Sequence, residues 1–453
     1  MVATMTERHA ADFQTGLARA LRRIGLPPQQ GLERLTGGAT MESWRFSAND
    51  AAFVLRRAPS EQVMEGRAFG HDVEARVIAA AHEAGVLAPE VLTVLEPSDG
   101  LGSGFVMRAL PGTSDPRTIL EMDDPDAILR ECAEQLATIH AVPRDELPEG
   151  IPFDTVESTL DTFEEQFRAG GGDRPIIALA LNWLRSHAVA IEGPVLVHGD
   201  FRMGNILARN SHLTGVLDWE LAHLGDYHED LAYACMAVWR FHRVERTAMG
   251  LGALDTFLDA YSAAGGRAVD PERFHFWLVY RTCWWALGCL GMGSTWREGA
   301  DRTLERAIIS RRTSEQELDL LLLLQRDHPD PQAEKVDGPM PLHEASRGEV
   351  DIGELATAVA EWLAEAKTRM SGHDRFQNAV ARNALGIIAR DWAEMSSLTR
   401  DPILAEALLS GERTLDEPGL LARLRRHALT KCAVDAPKYP NLRRARSAWI
   451  GEE

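Results

Sequence analysis

The chain has 453 residues, a length that favours two or three domains over one. A hydrophobic fraction of 45% and a charged fraction of 26% are typical of a globular protein with a full core. The 48 basic and 68 acidic residues give a formal net charge of −20, which argues against nucleic acid as a partner because neutralising phosphates requires clustered Lys and Arg. Residues 345–453 carry 16 basic and 16 acidic side chains, so the acidic excess belongs to the preceding part of the chain.

Five scattered cysteines, with no Cys-x-x-Cys pair, predict neither a zinc site nor a disulfide framework. They fit a reducing compartment, and the N-terminal sequence lacks the basic and apolar runs of a signal peptide, so we expect a cytoplasmic protein. The apolar segment Phe276–Gly293 contains Arg281 and three tryptophans. Because an unpaired charge in lipid is costly, this segment predicts a buried or cleft-lining helix and no membrane partner.

Apolar residues at helical spacing from Phe13 to Ile24 predict an N-terminal helix that ends before Pro27. Strand-like runs separated by turn signals follow, with one helical segment among them: strands at 31–36, 41–48, 52–57, 91–95 and 104–110, and a helix at 71–84. From Asp115 the pattern is mainly helical, apart from apolar segments around a polar loop near residues 195–217. This order predicts a small antiparallel sheet carrying one helix, followed by a larger helical lobe.

The segment Gln325–Glu344 is rich in proline and poor in apolar residues, and it predicts a linker. Beyond it, amphipathic stretches at Asp351–Met370 and Phe376–Trp392 predict helices of a separate all-α domain, long enough for its own core. The predicted organisation is an N-terminal helix (1–30), a nucleotide-binding lobe with a hinge (31–112), a catalytic and substrate-binding lobe (113–324), the linker (325–344) and a helical domain of unknown function (345–453).

The strongest chemical signal is the sequence HGDFRMGNIL at His198–Leu207, followed by GVLDWE at Gly215–Glu220. Phosphoryl transfer requires a carboxylate that accepts the substrate hydroxyl proton, together with amide and carboxylate oxygens for Mg²⁺. Asp200, Asn205 and Asp218 supply these groups in loops next to apolar strands. The alternative is that all three are ordinary turn residues, but the flanking strands and the surrounding motif favour the catalytic interpretation.

The motif HGDFRMGNIL…LDWE…GD…EDLAY resembles the aminoglycoside phosphotransferase-like family, and more closely the bacterial phosphotransferases related to the kinase domain of acyl-CoA dehydrogenase fusions. The resemblance covers about residues 32–324 and implies an α+β, bilobal protein-kinase-like fold followed by the separate all-α domain. It implies that Asp200 is the catalytic base, that Asn205 and Asp218 hold Mg²⁺, and that His198 and Asp230 brace the catalytic loop.

The resemblance also implies a nucleotide site in the N-terminal lobe. In LTGGATMESWRF, Gly37, Gly38 and Thr40 would cover the phosphates of ATP, although two glycines alone could form a plain turn. Arg56 stands where the family places a phosphate-pairing Lys or Arg, and Arg binds phosphate bidentately. Glu74 on the next helix would orient that cation, with a solvated helix charge as the alternative.

The segment FVMRALPG at Phe105–Gly112 resembles the hinge between the lobes. There the carbonyl of Arg108 and the amide of Leu110 would read adenine, and a simple exit from a strand fits the same residues. In the acceptor site, Trp277, Arg281 and the pair Trp284-Trp285 fall on one helix face. Core packing is the favoured interpretation of that face, and a cleft wall that meets an anionic substrate is the alternative.

The sequence thus predicts an ATP- and Mg²⁺-dependent phosphotransferase that acts on a hydroxyl group of a small molecule, such as a hydroxyacyl-CoA-like or aminoglycoside-like acceptor. Glycine follows His198 where the related protein-kinase motif His-Arg-Asp carries arginine. Within the resemblance, this difference favours a small-molecule acceptor over a protein. The alternatives are a nucleotide-binding pseudokinase or scaffold and an ATP-dependent regulatory subunit. Residues 345–453 resemble an uncharacterised bacterial helical domain, which implies association with a protein partner or self-association rather than an activity.

Overall fold

A computed structural model describes residues 7–35, 41–301, 303–327, 352–394 and 401–452. Its elements up to residue 154 are α1 (Glu7–Arg23), β1 (Gln30–Arg34), β2 (Glu42–Ala48), β3 (Ala51–Arg57), α2 (His71–Glu83), β4 (Val91–Val94), β5 (Gly104–Arg108), α3 (Pro116–Leu120) and α4 (Pro125–His140). The next are α5 (Val156–Ala169), α6 (Pro175–Ser186), β6 (Val195–Val197), β7 (Ile206–Arg209), β8 (His212–Val216), β9 (His223–Gly225), α7 (Tyr227–Ala234) and α8 (Leu254–Ala263). The last are α9 (Pro271–Glu298), α10 (Leu304–Arg311), α11 (Thr313–Leu324), α12 (Ile352–Ala366), α13 (Gly372–Glu394), α14 (Pro402–Leu409), α15 (Leu420–Asp435) and α16 (Pro440–Ile450).

The chain divides into two compact units. Unit 1 consists of Met1–Asp154, Ile191–Cys235 and Glu245–Asp270. Unit 2 consists of Thr155–Ala190, Met236–Val244 and Pro271–Glu453.

The main sheet of unit 1 is antiparallel, with the strand order β1-β2-β3-β5-β4. The five strands and the intervening helix α2 confirm the predicted order of elements. Asn49 and Asp50 form the two-residue turn between β2 and β3 with φ of 47° and 59°, the backbone that suits the twist of a tight hairpin. The apolar stripe of α1, with Phe13 and Leu17, packs on Phe46 and the other inward residues of the sheet and forms a shared core.

Two short two-stranded ladders position the loops that carry the HGDFRMGNIL and LDWE motifs of unit 1. β6 pairs with β9, and β7 pairs with β8, both in antiparallel fashion. The loop His198–Asn205 therefore begins directly after β6 and leads into β7, while Asp218 lies two residues after the end of β8. α4 packs against β6, β8 and α8, and α7 packs against β6, so both helices support these loops.

Unit 2 is helical, and its long helix α9 contains the predicted helix Phe276–Gly293. Among the residues that the structure describes, no helix is both long and apolar enough to cross a bilayer. Helix α14 packs on α6, where Asn182 Nδ2 donates to the Leu409 carbonyl at 3.0 Å. Helices α15 and α16 pack on α11, and Trp449 Nε1 donates to Gln325 Oε1 at 2.9 Å.

The predicted linker 325–344 falls mostly outside the described residues, which resume at Ile352. The two amphipathic stretches after it form α12 and α13, which pack together. Helices α14, α15 and α16 follow in the tail.

Candidate active site

The loop after β6 is held from behind by Asp230 on α7. The backbone N–H of His198 donates to Asp230 Oδ2 at 2.7 Å, and that of Gly199 donates to Oδ1 at 2.9 Å. His140 Nε2 lies 3.2 Å from the same Oδ2. Burial favours the neutral acid, but the hydrogen bonds with His140 and the loop keep the pKa of Asp230 below its ordinary value. An ionised, fully buried carboxylate thus fixes the start of the loop.

The backbone at position 199 accepts only glycine. Its φ is +80°, and a Cβ at this position would lie 2.3 Å from the Leu221 carbonyl oxygen. Only glycine combines this backbone conformation with so close an approach. The glycine that the sequence analysis connected with the acceptor is therefore required by the local fold.

Asp200 lies in this loop with both carboxylate oxygens hydrogen-bonded. Oδ1 accepts from the Tyr233 hydroxyl at 2.6 Å and from Arg202 Nε at 2.9 Å. Asn205 Nδ2 donates to Oδ2 at 2.5 Å and to the Asp200 carbonyl at 3.0 Å. These hydrogen bonds fix the orientation of the Asp200 carboxylate. Because the residue is 8% exposed, it still has access to the surface.

Asp218 is placed beside this loop by an unusual backbone. Its φ of +67° lies in the left-handed region, which is rare for residues other than glycine and recurs at functional sites. The preceding Leu217 N–H donates to the Asn205 carbonyl at 2.8 Å, which joins the two loops. Trp219 is fully buried, with its ring 4.6 Å from that of His198, and anchors the segment. Asp200, Asn205 and Asp218 therefore belong to one connected region.

Arg56 on β3 joins the same region. Its Nη2 lies 2.7 Å from Asp218 Oδ1 and 2.6 Å from Glu220 Oε2. Its Nε lies 3.1 Å from Glu74 Oε1, within ion-pair distance but without the alignment of a hydrogen bond. Arg67 Nη2 also pairs with Glu220 Oε2, at 3.1 Å. Two guanidinium groups and three carboxylates thus form one cluster, which we call the Arg56 cluster.

The charges of the Arg56 cluster affect one another strongly. Burial alone would lower the pKa of Arg56, but Asp218, Glu74 and Glu220 together hold it above its ordinary value. Burial raises the pKa of Glu74 to about 7, although Arg56 opposes this shift. The guanidinium is therefore permanently charged, and Glu74 is the member whose charge changes near neutral pH.

The profile of the Phosphotransferase enzyme family matches residues 31–277. The chain belongs to this family. A second profile, of a domain of unknown function (DUF6285), matches residues 368–439. The prediction of an enzyme of the phosphotransferase class is thus confirmed at the level of the family, and the resemblance of the C-terminal part to an uncharacterised domain is confirmed as well.

Two curated relatives each match more than half of the chain. The chain is 32% identical over 300 residues to mouse acyl-CoA dehydrogenase family member 10, covering 58% of this chain and 28% of that protein. It is 26% identical over 285 residues to a probable acyl-CoA dehydrogenase of Arabidopsis thaliana, covering 56% of this chain and 34% of that protein. The chain therefore matches only about a third of the length of these relatives.

The fold has a counterpart among solved structures. A candidate aminoglycoside phosphotransferase from Ralstonia eutropha superposes with a TM-score of 0.56 at 19% identity, covering 69% of this chain and 98% of that chain. Together with the family match, this confirms the predicted kinase-like fold, with its antiparallel sheet and helical parts.

The other predicted site residues belong to the expected nucleotide site. Gly37, Gly38 and Thr40 lie outside the described residues. At the predicted hinge, the Arg108 side chain is directed to Glu90, with Nε donating to Oε2 at 2.7 Å. The backbone continues through Leu110 and is held at the far side by Thr113, which exchanges two hydrogen bonds with Ala208. The side chain of Arg108 is thus engaged elsewhere, which is compatible with reading adenine through the backbone.

Four residues that the sequence analysis did not assign to the site contact its members directly. Tyr233 and Arg202 bind the Asp200 carboxylate, while Glu220 and Arg67 belong to the Arg56 cluster. Glu220 stands in the quoted LDWE motif and Tyr233 in EDLAY, three residues after Asp230 and hence on the same helix face. Helical spacing could have identified Tyr233, whereas only the tertiary structure shows that Arg67 reaches the cluster.

The tryptophan-rich face of α9 belongs to the interior of unit 2 at two of its four positions. Trp277 is 2% exposed and packs its ring 4.8 Å from that of Tyr280. Arg281 is 4% exposed, with its guanidinium 4.2 Å from the centre of the Trp284 ring. Trp284 and Trp285 are half-buried. These contacts support the packing interpretation for Trp277 and Arg281.

The oxygen donors of the site suit a hard cation such as Mg²⁺. Asn205 uses its amide N–H groups on Asp200, which leaves its Oδ1 as the group available to a cation. The Asp218 side chain keeps 30% of its surface exposed. Within the described ranges, no three His, Cys, Asp or Glu side chains cluster as a complete metal site. Because Mg²⁺ commonly takes one or two protein ligands and completes its shell with phosphates and water, the pair Asn205 and Asp218 fits it.

Proposed function

We propose that this protein transfers the γ-phosphoryl group of ATP, in the presence of Mg²⁺, to a hydroxyl group of a small molecule. The observation that carries the proposal is the convergence of Asp200, Asn205, Asp218 and Arg56 in one connected region of a chain that belongs to the phosphotransferase family. Such a set supplies a proton acceptor, oxygen ligands and a phosphate-binding cation, as phosphoryl transfer requires.

In this proposal Asn205 and Asp218 hold Mg²⁺, and Arg56 binds a phosphate of ATP. A Mg²⁺ ion held by these two residues would supply positive charge against the negative charge that phosphoryl transfer develops. Glu74 orients Arg56 from α2, at 3.1 Å. Gly37, Gly38 and Thr40 cover the phosphates, and the Arg108 carbonyl and Leu110 amide read adenine.

Asp200 acts as the base. It accepts the proton of the acceptor hydroxyl as that oxygen attacks the γ-phosphorus. The loop that carries Asp200 is held rigid by Asp230 through the backbone N–H groups of His198 and Gly199. Catalysis then depends mainly on positioning, because a base displaced by 1 Å loses much of its effect.

For the acceptor we propose a hydroxyacyl-CoA-like molecule first and an aminoglycoside-like molecule second. The first rests on the similarity to mouse acyl-CoA dehydrogenase family member 10, whose name refers to acyl-CoA substrates. The second rests on the fold shared with the Ralstonia eutropha protein and is weaker, because likeness at 19% identity supports the fold alone.

For residues 345–453 we propose a domain that mediates regulation, binding of a protein partner or self-association. Its later helices already pack within unit 2, where the Tyr439 hydroxyl and Asn441 Nδ2 both donate to Asp319 on α11. We also propose a cytoplasmic location, which the burial of all five cysteines as thiols supports.

The test is ADP release from Mg-ATP with a panel of hydroxyacyl-CoAs, aminoglycosides, macrolides, choline and homoserine. Asp200→Asn is the blank, and a thermal shift by ATP shows that each protein is folded and binds nucleotide. We expect one acceptor class to stimulate ADP release by the wild type and not by the variant. ATP binding without stimulation by any acceptor would contradict the proposal and favour the nucleotide-binding scaffold.

A further inference from the structure

Tyr233 is the residue of the site whose role the proposed function leaves open. It lies on α7, one helical turn after Asp230, and is 2% exposed. Its hydroxyl donates to Asp200 Oδ1 at 2.6 Å, a short bond to a charged group. Helix α7 thus contacts the catalytic loop twice: through Asp230 at its backbone and through Tyr233 at the proposed base.

The two oxygens of the Asp200 carboxylate have different environments. A carboxylate oxygen has two lone pairs, and those of Oδ1 are occupied by the Tyr233 hydroxyl and by Arg202 Nε at 2.9 Å. Among the described residues, Oδ2 accepts one hydrogen bond, from Asn205 Nδ2 at 2.5 Å. One lone pair of Oδ2 therefore remains for a proton.

We propose that Tyr233 is a positioning residue for proton transfer, which together with Arg202 occupies Oδ1 of Asp200 and leaves Oδ2 to accept the proton of the acceptor hydroxyl. This inference rests on the proposed function.

Phosphoryl transfer from ATP to the acceptor hydroxyl needs no further reactant. The acceptor oxygen forms a bond to the γ-phosphorus while the bond from that phosphorus to the β-phosphate oxygen breaks, and ADP leaves with the bonding electrons. The hydroxyl proton moves to Oδ2 of Asp200 and is later released to water. Tyr233 keeps its proton throughout and only fixes the carboxylate.

Tyr233→Phe tests this role, with Tyr227→Phe as the matched control. Tyr227 begins the same helix, and its hydroxyl also donates a 2.6 Å hydrogen bond, but to the Ala268 carbonyl. With the acceptor found in the panel, we expect Tyr233→Phe to lower kcat about 10-fold and to leave the KM for ATP within about twofold, since general-base catalysis depends on orientation. We expect Tyr227→Phe to match the wild type in both kcat and the KM for ATP.

A double variant separates positioning from mere structural support. If Tyr233 acts through Asp200, adding Tyr233→Phe to Asp200→Asn should cost no further activity, because variants that act through one group are not additive. A kcat of Tyr233→Phe within about twofold of the wild type, or an equal loss in both backgrounds, would overturn the inference while leaving the proposed function intact. A wild type without transfer to any acceptor would instead contradict the proposed function. Thermal unfolding of each variant shows whether the loss comes from misfolding.

Discussion

The Arg56 cluster of unit 1 and helix α11 of unit 2 both bury charge, but they arrange it differently. On α11, Glu317 forms a bidentate pair with Arg174, with side-chain exposures of 7% and 8%. In the Arg56 cluster, Arg56 is 12% exposed, while Asp218 and Glu220 keep 30% and 27% of their side-chain surface exposed. In the Arg174–Glu317 pair, one carboxylate matches one arginine. In the Arg56 cluster, three carboxylates face two arginines, and two of the carboxylates are partly exposed.

The difference shows that buried charge alone does not identify a functional site. In a closed pair such as Arg174–Glu317, each charge is neutralised by the other, so neither side chain is available to a ligand. A cluster with excess, accessible carboxylate oxygens can exchange one protein cation for Mg²⁺ or for a charged ligand. The variants below separate these two uses, beginning with the largest effect.

Breaking the closed pair should reduce stability most. Glu317→Ala leaves Arg174 buried without its partner, and we expect it to lower the free energy of unfolding by about 3–5 kcal/mol. The matched control is Glu406→Ala, because Glu406 pairs with Arg168 at side-chain exposures of 59% and 50% and should cost at most about 1 kcal/mol. Urea unfolding measures both, and equal losses would contradict the distinction between the two kinds of pair.

Changing the accessible cluster should affect ligand binding instead. Asp218→Asn removes the charge of the proposed metal ligand, and we expect the affinity for Mg-ATP to fall about 100-fold, which corresponds to about 2.7 kcal/mol. Asp72→Asn, at an exposed acid of the same unit, is the control. Calorimetric titration with Mg-ATP checks this, and wild-type affinity in Asp218→Asn would exclude Asp218 as a metal ligand.

The smallest effects should come from two buried acids, one in each region. Burial raises the pKa of Glu74 to about 7 and that of Asp319 to about 7. Both bind a proton more tightly in the folded state, so their contribution to stability is fully present below about pH 4 and is lost as the pH rises through 7. We expect Glu74→Gln and Asp319→Asn each to reduce the decline between pH 5 and pH 7 by about 2 kcal/mol, measured by urea unfolding at several pH values.

Mg-ATP binding distinguishes the same two variants. Glu74 contacts Arg56, whereas Asp319 accepts hydrogen bonds from Tyr439 and Asn441 within unit 2. Only Glu74→Gln should therefore change the affinity for Mg-ATP, and a comparable change in Asp319→Asn would contradict the contrast between the two regions.

Much of the fold could be predicted from the sequence, because strands, helices and turns are marked by patterns of neighbouring residues. Apolar periodicity and turn residues such as Asn49 and Asp50 predict the strands and helices, and Asp200, Asn205 and Asp218 stand in one short motif. The remaining features depend on distant partners or on backbone angles. Arg174 and Glu317 are 143 residues apart, and most aspartates of the described residues lack the positive φ of Asp218, so the residue type alone does not predict it. Tertiary packing decides such features, so they could not be predicted.

The most direct test of the central claim compares Asp200→Asn with the wild type in two measurements on the same preparations. We expect Mg-ATP affinity within about twofold of the wild type and ADP release with the identified acceptor reduced by about 1,000-fold, since the variant keeps the shape of the side chain and loses the base. ADP release at the wild-type rate in Asp200→Asn would contradict the assignment of Asp200 as the base, and with it this account of the site.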